Sequence, residues 1–162
     1  MVILLMGVTG SGKTTVGKLL ADKLAWTFLD ADDFHPPENR EKMHRAIPLT
    51  DADRLPWLTA IHDELLRRAA QNEDVVLACS ALRQSYRELL SGNLQVALVY
   101  LRGTTEQLHR NLATRAHHFA GESLVPSQLA TLEEPTSHVL IEDIARSPKQ
   151  IVANICARLN LC

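Results

Sequence analysis

Gly7-Val8-Thr9-Gly10-Ser11-Gly12-Lys13-Thr14 sets glycines, a lysine and a threonine at the spacing G-x-x-x-x-G-K-[ST], a pattern suited to holding a chain of phosphates. Glycines at 7, 10 and 12 let backbone N–H groups approach phosphate oxygens closely. Lys13 can reach the β- and γ-phosphates of a nucleoside triphosphate, and the Thr14 hydroxyl can take Mg²⁺. With Thr15 at the same junction, residues 7–15 are the candidate nucleotide ligands. Downstream, Phe28-Leu29-Asp30-Ala31-Asp32-Asp33-Phe34-His35-Pro36 carries two alternate aspartates. On a strand Asp30 and Asp32 share one face, and strands of a parallel sheet end at the crevice where ligands bind. Phosphorylating a hydroxyl needs one carboxylate for the developing proton and another for the metal, and this pair can supply both. Taken alone, D-x-D suits solvated loop carboxylates or a helix N-cap equally well. Asp33 reads as surface charge.

These residues need a scaffold, and the chain alternates strand and helix to provide one. Short apolar runs at Val2–Met6, Thr27–Asp30, Asp74–Ala78, Val96–Leu101 and Ser137–Ile141 read as strands covered on both faces. Between them, Val16, Leu19, Leu20 and Leu24 keep the spacing of one helix face, as do Leu58, Ile61 and Leu65. Ile151, Val152, Ile155 and Leu159 repeat that spacing near the C-terminus. The order implies right-handed crossovers and an α/β fold: a mostly parallel five-stranded sheet in three layers. The phosphate motif follows the first strand and precedes the first helix, the arrangement a phosphate-wrapping loop requires. The third strand runs into Cys79-Ser80 with no acidic residue at its end, which argues against a mechanical ATPase and passes the metal role to Asp30. No N-K-x-D motif supports a GTPase.

At 162 residues the chain reads as one domain, 1–162, and 46% hydrophobic with 22% charged residues excludes disorder. A net charge of −2 gives no bulk attraction to nucleic acid or to an anionic membrane. The apolar opening is too short for a signal core or a membrane span. Cys79, Cys156 and Cys162 are odd in number and form no C-x-x-C pair, so neither a disulfide framework nor a zinc site is expected, and a reducing cytoplasm fits. Cys79 and Cys156 read as small buried hydrophobes, and Trp26 and Trp57 as core or interface residues. Adjacent His117 and His118 point apart and lack a completing ligand cluster, so no transition-metal site is expected.

Beyond the phosphate motif, several blocks stand out: Leu29-Asp30-Ala31-Asp32 with His35-Pro36, Asn39-Arg40-Glu41-Lys42-Met43, and Ile47-Pro48-Leu49-Thr50-Asp51 through Asp53-Arg54-Leu55-Pro56-Trp57-Leu58. Further on come Cys79-Ser80-Ala81-Leu82-Arg83, Tyr86-Arg87, Tyr100-Leu101-Arg102-Gly103, His118-Phe119 and Thr131-Leu132-Glu133-Glu134-Pro135. In these blocks the chain resembles the gluconate kinase family, relatives of shikimate and nucleoside monophosphate kinases. The resemblance implies a P-loop kinase fold with a mobile lid at about 116–127. It implies transfer of the γ-phosphoryl group of ATP to the 6-hydroxyl of D-gluconate with Mg²⁺, and it is compatible with a homodimer. Under it Asp32 orients and deprotonates the hydroxyl, and Asp30 stands on the metal side. Arg54 and Arg83 are candidates for a guanidinium fork on the gluconate carboxylate, with His35 and Lys42 beside them; surface ion pairs are the alternative for both arginines. In the lid region Arg115 is expected on the transferring phosphate and Arg110 near the adenine. Where the family carries R-K-G-H-F, this chain has Arg115-Ala116-His117-His118-Phe119. A related small-molecule kinase, or an ATP-binding module without catalysis, is the rival reading.

Overall fold

Residues 1–114 and 119–162 are described by the computed structural model. Strands β1 (Val2–Met6), β2 (Thr27–Asp30), β3 (Val75–Ala78), β4 (Val96–Arg102) and β5 (Val139–Asp143) form one sheet in the order β2-β3-β1-β4-β5. Every pairing is parallel, with Val2 beside Val75 on one flank and Val96 on the other. Seven α-helices are present among the described residues: α1 (Lys13–Leu24), α2 (Pro37–His44), α3 (Asp51–Ala70), α4 (Gln84–Ser91), α5 (Thr105–Ala113), α6 (Phe119–Thr131) and α7 (Pro148–Leu159). A 3₁₀ turn, Ala31–Phe34, follows β2.

β1 runs through the centre of the molecule, and its alternation splits the core in two. Val2, Leu4 and Met6 face Leu58, Ile61 and Leu65 of α3 and Leu90 of α4. Ile3 and Leu5 face Val16 and Leu20 of α1 and Ile151, Val152 and Ile155 of α7. Fully burying each of these aliphatic side chains is worth about 2 kcal/mol in transfer free energy, so the two layers hold β1 rigidly and fix where its C-terminal end delivers the chain. A third cluster of Val8, Leu82, Leu108, Leu112 and Val125 lies beneath the phosphate loop and binds α5 to α6.

Three expectations shift. β5 begins two residues later than Ser137, because His138 takes a left-handed φ of 51° that an extended strand cannot contain, and it continues through Glu142, which is fully buried. Leu19 lies on the open side of α1, where Gly17 instead faces the sheet: a Cβ there would meet the Phe28 ring at 2.5 Å. Cys156 and Cys162, expected to stay unbridged, form a disulfide. Asn160 caps α7 with φ 54° and folds the chain back, Leu161 N–H bonds Cys156 O at 3.0 Å, and the two cysteine Cα atoms come within 5.3 Å. No cysteine spacing motif announces that pairing. Among the described residues no helix is long and apolar enough to cross a membrane.

Candidate active site

The phosphate loop joins β1 to α1 at the point where the strand order reverses, the usual position for a ligand crevice in an open parallel sheet. Gly12 caps α1 at φ 90° and contributes no side chain, so the first N–H groups of the helix stay available to an anion. Ser11 Oγ is buried with no hydrogen-bond partner among the described residues, and Lys13 Nζ folds back to donate to the carbonyls of Gly7 (2.9 Å) and Val8 (3.1 Å). These features fit a polyphosphate: uncapped backbone donors, an orphaned hydroxyl and a lysine stored on the loop it would leave.

Asp30 ends β2 and faces Thr14, whose Oγ1 donates to Asp30 Oδ2 at 3.0 Å. The other carboxylate oxygen accepts the Asp32 N–H at 3.1 Å, so Asp30 also caps the 3₁₀ turn. Both sequence alternatives for this residue hold together: it is a cap, and it stands in the cleft. Thr14 hydroxyl and Asp30 carboxylate form a pair of hard oxygen donors of the kind Mg²⁺ takes, usually with waters completing the octahedron.

Asp32 lines two cavities at once. One, of about 190 Å³, is walled by Thr9, Lys13, Thr14, Asp30 and Ser80; the other, of about 260 Å³, by His35, Arg40, Met43 and His44. The side chain reaches solvent through the open cleft, yet the surrounding walls desolvate it. That desolvation, followed by the charge of Asp30, raises its pKa above the ordinary aspartate value against the opposing pull of Lys13. A carboxylate so placed is a better proton acceptor than one in free solution.

Neighbouring helices hold the segment after β2 in place. Trp57 of α3 donates Nε1 to Ala31 O at 2.7 Å and stacks on His35 with ring centroids 4.2 Å apart. Arg40 Nε donates to His35 O at 3.1 Å, and buried Asn39 bonds Asp53 O at 2.9 Å and lies 3.3 Å from His35 Nδ1. Burial first, then the charges of Arg40 and Arg54, lowers the His35 pKa and keeps the ring neutral at pH 7. Lys42, set beside the fork in the sequence reading, instead grips Asp53 at 2.8 Å and ties α2 to α3.

The two candidate fork arginines stand further out. Arg54 lies over the Tyr86 ring at 5.8 Å, with Nη1 3.4 Å from the Tyr86 hydroxyl, which in turn donates to Asp51. Arg83 is the N-cap residue of α4, and its Nε is buried with no partner among the described residues. The cation lining the cavity beside Asp32 is Arg40, which type and spacing did not single out. Arg87 is structural: it donates to the carbonyls of Ala81, Leu82 and Glu133 and so locks the wall after β3 to the chain leaving α6. Cys79 in that wall is a buried thiol with its pKa pushed up to about 12, a packing group as expected.

A third cavity, of about 350 Å³, opens on the far side of the loop between Gly12, Thr15, Asn111, Thr114, Arg146 and Ile151. It adjoins the phosphate loop and has room for a nucleobase and its sugar. Arg110 does not line it. That side chain is exposed on α5, and its neighbour Asn111 lines the cavity and donates to Gly10 O at 2.9 Å. Arg115, Ala116, His117 and His118 lie outside the described residues, so the predicted phosphate contact and the first part of the predicted lid do too. Residues 119–127, the remainder of that expected lid, lie on α6, which carries Leu124 and, one residue past the lid bounds, Gln128 into the wall of the phosphate cleft.

Comparison with known proteins agrees with this geometry. A model of the shikimate kinase family matches residues 9–160. A probable gluconokinase of Xenopus tropicalis is 43% identical over 173 residues, covering 96% of this chain and 91% of the relative. A gluconokinase of Gluconobacter oxydans is 49% identical over 134 residues, covering 82% of this chain and 75% of the relative. Among solved structures, a gluconokinase from Sinorhizobium meliloti superposes with a TM-score of 0.83 at 39% identity, over 98% of this chain and 94% of that one.

Proposed function

Because this chain belongs to the shikimate kinase family and, within it, groups with the gluconokinases, we propose that it transfers the γ-phosphoryl group of ATP to the 6-hydroxyl of D-gluconate, giving 6-phosphogluconate and ADP. The observation that carries the reading is the position of Asp32 in the shared wall of two cavities, one built for phosphates and the other lined by neutral and cationic donors. A hydroxyl bound in the second cavity meets a carboxylate before it meets the phosphoryl group, as a proton acceptor in this reaction must.

The residues divide the work as follows. Backbone N–H groups of Gly10 and of Gly12 through Thr15 hold the polyphosphate, since those of Gly7, Thr9 and Ser11 are taken by Ser80 O, Gln128 Oε1 and Val8 O. Lys13 leaves the carbonyls of Gly7 and Val8 to bridge the β- and γ-phosphates. Thr14 and Asp30 would hold Mg²⁺, which would supply neutralisation of the phosphate charge. Asp32 accepts the proton of the 6-hydroxyl. His35, kept neutral, offers a hydrogen bond to gluconate hydroxyls, and Arg40, Arg54 and Arg83 supply positive charge for its carboxylate. Arg115 serves the transferring phosphate, and the nucleobase occupies the cavity between Asn111 and Arg146, close to Arg110 in sequence. We propose a cytoplasmic activity whose product feeds the pentose phosphate pathway.

The test is ADP release from Mg-ATP by the purified protein with D-gluconate, shikimate, AMP or no acceptor. Stimulation by gluconate alone is expected. A gluconate rate equal to the acceptor-free rate removes the substrate from this reading and leaves only the kinase fold.

A further inference from the structure

Gln128 is a polar side chain that neither the phosphate motif nor the aspartate pair calls for, yet it stands in the phosphate cleft with Lys13, Thr14, Asp30 and Asp32. The Thr9 N–H, within the phosphate loop, donates to Gln128 Oε1 at 2.7 Å across 119 positions of sequence. That bond settles which way the amide points: the oxygen is held by the loop, so the NH₂ is its other end, and Nε2 has no partner among the described residues. The anchor behind it is firm. Val125, three residues earlier on α6, is fully buried against Leu108 and Leu112, and Leu129 and Leu132 pack on the same cluster.

From this arrangement we infer that Gln128 is a further catalytic residue: clamped by Thr9, it directs Nε2 onto an oxygen of the γ-phosphoryl group as that group passes from ATP to the acceptor. The chemistry suits a neutral donor. In a loose phosphoryl transition state charge spreads over three equatorial oxygens, and Lys13 with the metal side serves only part of that surface. A preorganised amide adds a donor there without a further cation, and it requires no reorganisation because its oxygen is already fixed. It also couples α6 to the loop. The inference rests on the kinase reading above but not on the identity of the acceptor.

A competing role is that of a plug, in which Gln128 merely occupies the Thr9 N–H until nucleotide displaces it. The two roles predict opposite signs for Gln128→Met, which keeps the length of the side chain and removes both amide groups. Calorimetry of ADP and of the β,γ-imido analogue of ATP, each with Mg²⁺, separates them. The expected result is ADP affinity within about twofold of the parent, analogue affinity weaker by about tenfold, and kcat with gluconate down about 100-fold. Analogue binding that is unchanged or tighter overturns the inference. Gln128→Glu, which keeps the acceptor for Thr9 and hence the docking of α6, guards against a variant that merely loosens the helix; it too must lose the analogue while holding ADP, and a protein that fails to discriminate the two nucleotides in this way counts against the contact. Should the parent bind both nucleotides and not phosphorylate gluconate, the substrate reading fails while the binding arm still tests Gln128.

Discussion

Asp32 and Lys13 carry the sharpest residue-level predictions, because each has a distinct part in one transfer. Asp32→Asn keeps the shape of the shared wall but removes the proton acceptor, so kcat falls by about 10²- to 10⁴-fold while ADP binding stays within about twofold. Lys13→Ala abolishes turnover, and steady-state kinetics with nucleotide titrations check both. An Asp32→Asn enzyme with a near-parental kcat would remove Asp32 from the chemistry. What made these residues readable is that their signals are local. The phosphate loop is one contiguous motif beside its strand and helix, and the D-x-D spacing marked Asp30 and Asp32, although Asp32 lies in the 3₁₀ turn after β2 and not on one strand face with Asp30 as the periodicity implied. Trp57 was legible only as core or interface; it is core, and it is also the stacking partner of His35 and the donor that pins Ala31. Arg40 stood in a matched block but with no role attached, and Asn111, Arg146 and Gln128 gave no signal, because each gains meaning from a partner distant in sequence or from the wall of a cavity.

At the scale of elements, the acceptor side depends on how α2 meets α3. Thr50 and Asp53 form a capping box at the start of α3, and Lys42 of α2 closes on the Asp53 carboxylate. The Lys42 hydrogen bond first, then the Thr50 backbone N–H, draws the Asp53 pKa down from 3.8 to about 2. A carboxyl depressed in the folded state binds more protons when unfolded. Its contribution is therefore whole above the unfolded pKa of 3.8 and is lost as pH falls toward 2. Thermal melting of the parent and of Asp53→Asn should show a Tm gap at pH 5.5 that narrows at pH 2.5, with the depressed Glu64 common to both proteins and cancelling. A gap independent of pH would show that the clamp contributes packing rather than charge. Periodicity located α3 well, and Thr50 and Asp53 have the types a helix start requires. The ends of β5 were harder: Glu142 and Asp143 look like loop residues, and the strand continues through them because buried Glu142 is met by half-buried Asn154, which donates to it at 2.5 Å, and by Arg146 at 3.5 Å.

Across the whole molecule the chemistry gathers at one edge of the sheet, where β1, β2 and β3 deliver the phosphate loop, Asp30 and the Cys79-Ser80 wall. α7 returns from that edge after β5, with Ile151 near its start lining the nucleobase cavity. Its 12 residues span about 18 Å, so the Cys156–Cys162 disulfide lies toward the opposite edge. The sequence separation of the bridge is only 6, which limits the unfolded-state entropy it can remove to about 2 kcal/mol, or about 6 °C in Tm for a chain of this size. Cys162→Ser, or reduction of the parent, should therefore lower Tm by no more than that and leave kcat and both KM values unchanged. Melting curves and gluconate-dependent ADP release, run with and without a thiol reductant, provide the check. A loss of kcat beyond twofold on reduction would mean that the C-terminal turn communicates with the cleft through α7, which lines the nucleobase cavity with Ile151 and packs Ile155 and Cys156 against Val16 and Leu20 of α1, the helix that carries Lys13 and Thr14.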